Sequence, residues 1–292
     1  MSEIILKKVY IKILFRLVVL VFIFFFVYPN LLLAGKKTCF KSGYISNFKN
    51  GSINWSTGCI TARGTAAPQK ENKGKLSSTI PGAAKADAMK NLILILKNIK
   101  ISHTIVKDYI ASNDDIMAQL ENSIFDAKVV KQHYTSDGAL EIEVQTSMYG
   151  GFLQLILPHD IAHIPQIASI ENKDTIIKQR GKFTGLVLDA RGLKFKPLLY
   201  PVIKNEYGDE IYSAVFINRE YAVQNGVCRY FCDFKKALKD KRVGDNPLVL
   251  KGLRMGEDKS SIILSKLDAE KIEKIIERHS FFKECRVIIV ID

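Results

Sequence analysis

A chain of 292 residues exceeds one average domain and fits two of modest size, and a hydrophobic fraction of 47% against 25% charged residues excludes a disordered polymer. The formal net charge of +13 favours an anionic partner or surface, and about +10 of it persists once the basic first 16 residues are set aside. No dense basic run with interleaved aromatics accompanies that charge, so a nucleic-acid partner is not expected.

Lys7, Lys8, Lys12 and Arg16 precede an apolar run from Leu17 to Tyr28, followed by Pro29-Asn30 and the small residues Ala34-Gly35. A basic head, an apolar core and a helix breaker before small residues describe a secretory signal over residues 1–34. The run is shorter than the ~20 residues of a membrane-crossing helix, which leaves an uncleaved inner-membrane anchor as the alternative. Lipidation at Cys39 is not expected, because Lys36-Lys37-Thr38 separate it from the small residues. The chain is therefore expected to be exported, to the periplasm or the periphery of the outer membrane.

In such an oxidising space the five cysteines become disulfide candidates. Cys39 and Cys59 bracket the entry to the first module and can pair. Cys228 and Cys232 have a gap that a helix or turn can bridge and an extended strand cannot. With Cys285 the count is odd, so at least one thiol stays free. No second pair stands at zinc spacing, and neither a metal nor a cofactor is expected.

The first module is expected over residues 49–157. Ile53, Trp55, Thr57, Cys59 and Thr61 alternate along one strand, with Gly58 marking a bulge or a close approach. The polar stretch from Pro68 to Thr79 reads as a loop. Pro81-Gly82 then opens a helix whose stripe runs through Ala84, Ala88, Leu92, Ile95, Leu96 and Ile99, its small first half suited to lying close on a sheet. Ser112-Asn113-Asp114-Asp115 offers N-cap side chains for a second helix carrying Ile116, Leu120 and Ile124. Leu140, Ile142, Val144, Thr146 and Met148 alternate with polar residues in a strand joined to residues 129–135 by a two-residue turn at Asp137-Gly138. The result is an antiparallel sheet with helices on one side.

Ala62-Arg63-Gly64 with Thr65-Ala66-Ala67, the Ala-rich helix reaching Asn91-Leu92, and the closing Met148-Tyr149-Gly150-Gly151 resemble the twenty-kilodalton outer-membrane lipoprotein family. The same run is similar to the N-terminal domain of flagellar assembly protein T. The resemblance implies a secreted, non-enzymatic domain at the outer membrane or flagellar basal body, with envelope or flagellar-associated proteins as partners and no catalytic residues. The chain departs from the lipoprotein pattern in lacking the lipid-accepting Cys.

Residues 158–182 read as a linker. His159 and His163 would share a helix face and are weak ligand candidates, but no Glu follows the first and Pro165 shortens any helix. The second module is expected over 183–292. Gly185 to Asp189 reads as a buried strand, and Asp189 with Arg191 at its end forms the other weak ligand candidate, or a pair that orients a turn. The prolines of the 197–203 segment suggest an edge strand, and Asn205 to Glu210 a turn. Strands follow at 247–250 and 262–265, Asp268 is placed to cap a helix carrying Ile272, Ile275 and Ile276, and Arg286 to Ile291 is apolar without alternation, as a central strand is. The opening of this module resembles a C-terminal domain of uncharacterised secreted bacterial proteins.

The expected fold is α+β, two small modules that are each a mainly antiparallel sheet with helices packed on one face. No phosphate-binding Gly-rich loop and no Gly-x-Ser-x-Gly elbow is present. The expected function is a non-enzymatic envelope assembly or interaction component. The alternatives are a module binding an anionic envelope polymer or surface, and an exported hydrolase with a pocket around Asp189, Arg191 and His163.

Overall fold

Asn54 breaks the alternating stretch that reads as one strand. Its side-chain oxygen accepts from the backbone N–H groups of Ser56 and Thr57, and Gly58, at φ +73°, returns the chain so that its N–H reaches the Asn54 carbonyl at 2.8 Å. Two strands result, β3 (Gly51–Asn54) and β4 (Cys59–Ala66), preceded by β1 (Cys39–Phe40) and β2 (Gly43–Phe48). The computed structural model describes residues 39–40, 43–67, 79–111, 114–157, 161, 183–213, 216–276 and 280–292. The leader, the 68–78 loop, Ser112-Asn113, both connector histidines and the side chains of Cys39 and Ile276 lie outside the described residues.

The hairpin strands β5 (Lys128–Tyr134) and β6 (Leu140–Ser147) complete an antiparallel sheet in the order β1-β2-β3-β4-β6-β5. Their connection is longer than the expected two residues. Thr135 and Ala139 close the ladder with a 2.8 Å bond, and Gly138 takes φ +81° behind Ser136-Asp137. Helix α1 (Thr79–Lys97) lies across β4 and β6 and buries Ala84, Ala88, Leu92, Ile95 and Leu96, as its spacing predicts. Ala62-Arg63-Gly64 is the middle of β4 beneath this helix, not a strand exit. A Cβ on Gly64 would collide with the backbone of Ala84 and Ala88, so glycine is what lets helix and strand touch. Beyond β3 the Thr65 N–H has, among the described residues, no strand to meet on that side, and the Asp87 carboxylate accepts it at 3.0 Å.

Two short helices, α2 (Val106–Ile110) and α3 (Asp114–Ser123), and α4 (Gly151–Ile156) follow the same core. Leu120 and Ile124 are buried at the predicted positions.

The class is α+β, but the sheets of the second half are not mainly antiparallel. β7 (Gly185–Asp189), β10 (Arg229–Phe231), β11 (Pro247–Lys251) and β14 (Val287–Val290) form a wholly parallel sheet in the order β10-β14-β7-β11. Its two inner strands are apolar up to Asp189 at the end of β7 because both faces are covered, the usual condition for parallel pairing. Val187, Ile288 and Val290 meet Ala237 of α6 (Phe234–Leu238) on one face, while Leu186, Leu188, Val287 and Ile289 face the main core. The last strand is central, as expected.

A smaller mixed sheet runs β12-β13-β8-β9, from β12 (Arg254–Met255), β13 (Ser261–Ile263), β8 (Val202–Lys204) and β9 (Glu210–Tyr212). Here β8 is internal rather than an edge. Pro197 and Pro201 precede the strand and take no ladder bond from it. Helix α7 (Lys266–Ile276) is capped by the Ser265 hydroxyl, which accepts from the Asp268 N–H at 3.3 Å and donates to the Asp268 carboxylate at 3.0 Å. The predicted cap, Asp268, is thus the third helical residue, completing the cap from inside.

Thr38 to Asp292 form one compact unit with a continuous core from Tyr44 to Ile291. The seam between the halves is specific. Leu199 and Tyr200 donate to the carbonyls of Lys100 and Ile101 at 2.9 and 2.8 Å, and Gly150 to Val223 at 2.8 Å. Arg219, buried in α5 (Arg219–Asn225), donates to the Gln154 and Leu157 carbonyls at the end of α4, where a cation suits the helix dipole.

Candidate functional site

Asp189 and Arg191 satisfy each other. The guanidinium grips the carboxylate in a fork, Nε to Oδ1 at 2.8 Å and Nη2 to Oδ2 at 2.6 Å, the Arg191 N–H adds 3.2 Å to Oδ1, and the guanidinium rests on the Phe234 ring at 5.2 Å. The hydrogen bonds from Arg191 hold the Asp189 carboxyl below its ordinary value. Next to the pair, the Gly192 N–H donates to Asp292 at 2.6 Å, so these groups hold the turn after β7 and the chain's last residue together. His159 and His163 lie outside the described residues.

Neither expected disulfide forms. Cys59, Cys228 and Cys285 are free, and Cys232 is disulfide-bonded. Cys228 and Cys232 flank the extended strand β10, and four residues at about 3.3 Å each exceed the ~7 Å Cα reach of a disulfide. Burial pushes the thiols of Cys228 and Cys285 up to about 12. Cys59 is raised as well, by burial and then by Glu143, so all three remain protonated and poor nucleophiles near neutrality.

An arginine cleft of about 450 Å³ opens at the starting ends of β10 and β14. It is lined by Tyr221 and Asn225 of α5, Arg229, Lys241 and Arg242 after α6, and Glu284 and Arg286 before β14. Arg242 donates to three carbonyls, Nε to Val287 at 3.0 Å, Nη1 to Asn225 at 2.7 Å and Nη2 to Gly226 at 2.5 Å. Arg286 donates from Nε to the Arg242 carbonyl at 3.0 Å, and Gly244 is packed against its Nη2. Arg229 lies over the Tyr149 ring at 5.8 Å. This cleft escaped the sequence reading because its cations come from three distant segments; the Lys239-Asp240-Lys241-Arg242 run was the only local sign.

The third feature is the open face and free edge of the first sheet. Opposite α1, a groove of about 780 Å³ is lined largely by hydroxyl and amide side chains, among them Ser52, Thr61 and Gln145, and reaches Lys128 and Val130 of β5. Among the described residues no strand pairs with the outer edge of β5. Every residue of that strand is exposed, including Val129, Val130 and Tyr134, and the preceding Phe125 is 77% exposed. Lys131 and His133 lie 3.6 and 3.7 Å from Glu143 and Glu141 on β6.

Residues 185–292 match the family model described as the second domain of Treponema pallidum Tp0624. The match takes in the whole parallel sheet and the smaller mixed sheet, so the second half of the chain is similar to a domain of a bacterial protein. No curated protein matches the chain. Among the described residues no helix is long and apolar enough to cross a membrane.

Proposed function

We propose that the chain is an exported, non-enzymatic interaction component of the cell envelope, which holds an extended segment of a partner protein by adding it as a strand outside β5. The observation that carries this reading is the free edge itself. An unpaired strand presents a row of N–H and C=O groups, and natural proteins ordinarily blunt such edges. Here the bulge between Val129 and Lys131 and the charges of Lys128 and Lys131 break up the edge, yet Phe125, Val129, Val130 and Tyr134 remain exposed around it. Backbone pairing would supply affinity, and alternate side chains resting in the adjoining groove would supply specificity. The cations along the edge favour a segment in which apolar and acidic residues alternate.

Export is supported by the signal-like first 34 residues and by the bonded state of Cys232, since disulfides persist in oxidising compartments. Complete burial of Cys285 and near-complete burial of Cys228 shield those thiols from the same oxidants. The resemblance of the first module to outer-membrane lipoproteins and to a flagellar assembly domain supports a partner in the envelope or flagellar basal body. A photoreactive residue placed at Val130 in the producing cells should give a discrete adduct that Phe125→Glu abolishes. An equal adduct from position 267, where Leu267 is 79% exposed far along the chain, would reject the reading.

A further inference from the structure

We infer that the arginine cleft between α5, β10 and β14 is a binding site for a phosphate monoester, a function independent of strand addition at β5. Four cations, Arg229, Lys241, Arg242 and Arg286, line one cleft. Among the described residues the carboxylates that approach them do so at long range, Asp240 at 3.8 Å from Arg229 and Glu284 at 3.6 Å from Arg286. Both distances exceed that of a good charge-assisted hydrogen bond. Arg242 is held by three carbonyls and, among the described residues, by no carboxylate, which fixes its position without cancelling its charge. Among the described residues the buried Nε of Arg229 has no hydrogen-bond partner.

Like charges gathered in a concave site repel one another and focus the field on whatever enters. Each guanidinium is oriented before any ligand comes. Arg229 is set by the Tyr149 ring, Arg242 by backbone carbonyls, and Arg286 by the Arg242 carbonyl and its contact with Gly244. Such preorganisation lowers the entropy lost on binding.

A dianionic tetrahedral group matches several guanidinium forks at once, whereas a single carboxylate would leave most of the charge unanswered. The cleft volume of about 450 Å³ is in the range of small-molecule pockets and leaves room for the carrier of the phosphate beside Tyr221 and Asn225. The carrier can be a soluble metabolite or a lipid headgroup.

The test titrates the folded protein with glucose 1-phosphate, with glucose, and with phosphatidylcholine vesicles carrying or lacking phosphatidic acid. The variants Lys241→Gln and Arg286→Gln are titrated alongside, with thermal unfolding as the control for folding. Glucose 1-phosphate, phosphatidic acid vesicles or both should bind, glucose and plain vesicles should not, and each variant should weaken binding about tenfold. Binding of the sugar phosphate alone assigns a soluble ligand, and of the vesicles alone a lipid headgroup. Lys241 is exposed and takes no part in the core, so its variant decides the matter if Arg286→Gln fails to fold. No binding of either phosphate probe up to about 10 mM, or equal binding by wild type and Lys241→Gln, overturns the inference.

Discussion

Trp55 and Tyr230 meet edge to face with ring centroids 5.8 Å apart, and their backbones are joined as well, the Tyr230 N–H donating to the Trp55 carbonyl at 3.4 Å while the Ser56 hydroxyl donates to the Tyr230 carbonyl. The turn between β3 and β4 of the antiparallel sheet is thereby fastened to an outer strand of the parallel one. Residues 38–292 should therefore unfold in one transition, with the fluorescence of Trp55, the chain's only tryptophan, and the far-ultraviolet circular dichroism sharing a midpoint. Trp55→Ala should cost about 3–5 kcal/mol. Two resolved transitions would contradict a shared core.

Gly64 tests the contact between β4 and α1. Gly64→Val forces the helix off the sheet and should destabilise by about 3 kcal/mol or more, whereas Gly82→Ala, where an added methyl meets open space, should change little. Denaturant midpoints of the two variants compare them directly.

Arg219 is buried with its guanidinium on the last carbonyls of α4. Arg219→Ala should cost about 2–3 kcal/mol, because the carbonyls of Gln154 and Leu157 lose their donor inside the seam. A loss below about 0.5 kcal/mol would show that water replaces it.

Stability should fall in alkali. Burial raises Cys228 and Cys285 to about 12 from an ordinary 9.0, and holds Tyr212 and Tyr230 well above 10.0. Folded values above unfolded ones mean that the stabilisation is complete below about pH 9 and is lost as pH climbs towards 12. Chemical denaturation should show midpoints level from about pH 7 to 8.5 and declining beyond, and an unchanged midpoint at about pH 11 would refute this. Alkylation at neutral pH should likewise spare Cys228 and Cys285 until the chain unfolds, and reach Cys232 only after reduction.

What could be read from the chain alone is what periodicity encodes. The stripe of α1 and the unbroken apolar run of β14 set which faces are buried, and both stand as expected. Partners are another matter. The apolar run told of burial on both faces but not that β7 and β10 would flank it in parallel. The turn at Asn54 was hidden because Trp55, Thr57 and Cys59 continue an alternating pattern through it, and the break shows in the hydrogen bonds that the Asn54 side chain accepts and in the return at Gly58. The Asp189 and Arg191 pair was legible as a pair and as a turn device. The arginine cleft was not, since Arg229, Arg242 and Arg286 become neighbours only when β10 and β14 pair.

Strand addition at β5 is tested most directly by amide hydrogen exchange, measured on the protein alone and on the complex recovered through the Val130 adduct. The account predicts that amides of residues 128–134 slow markedly in the complex while those of the parallel sheet keep their rates. Protection confined to other segments, with β5 exchanging as fast as in the free protein, would contradict it.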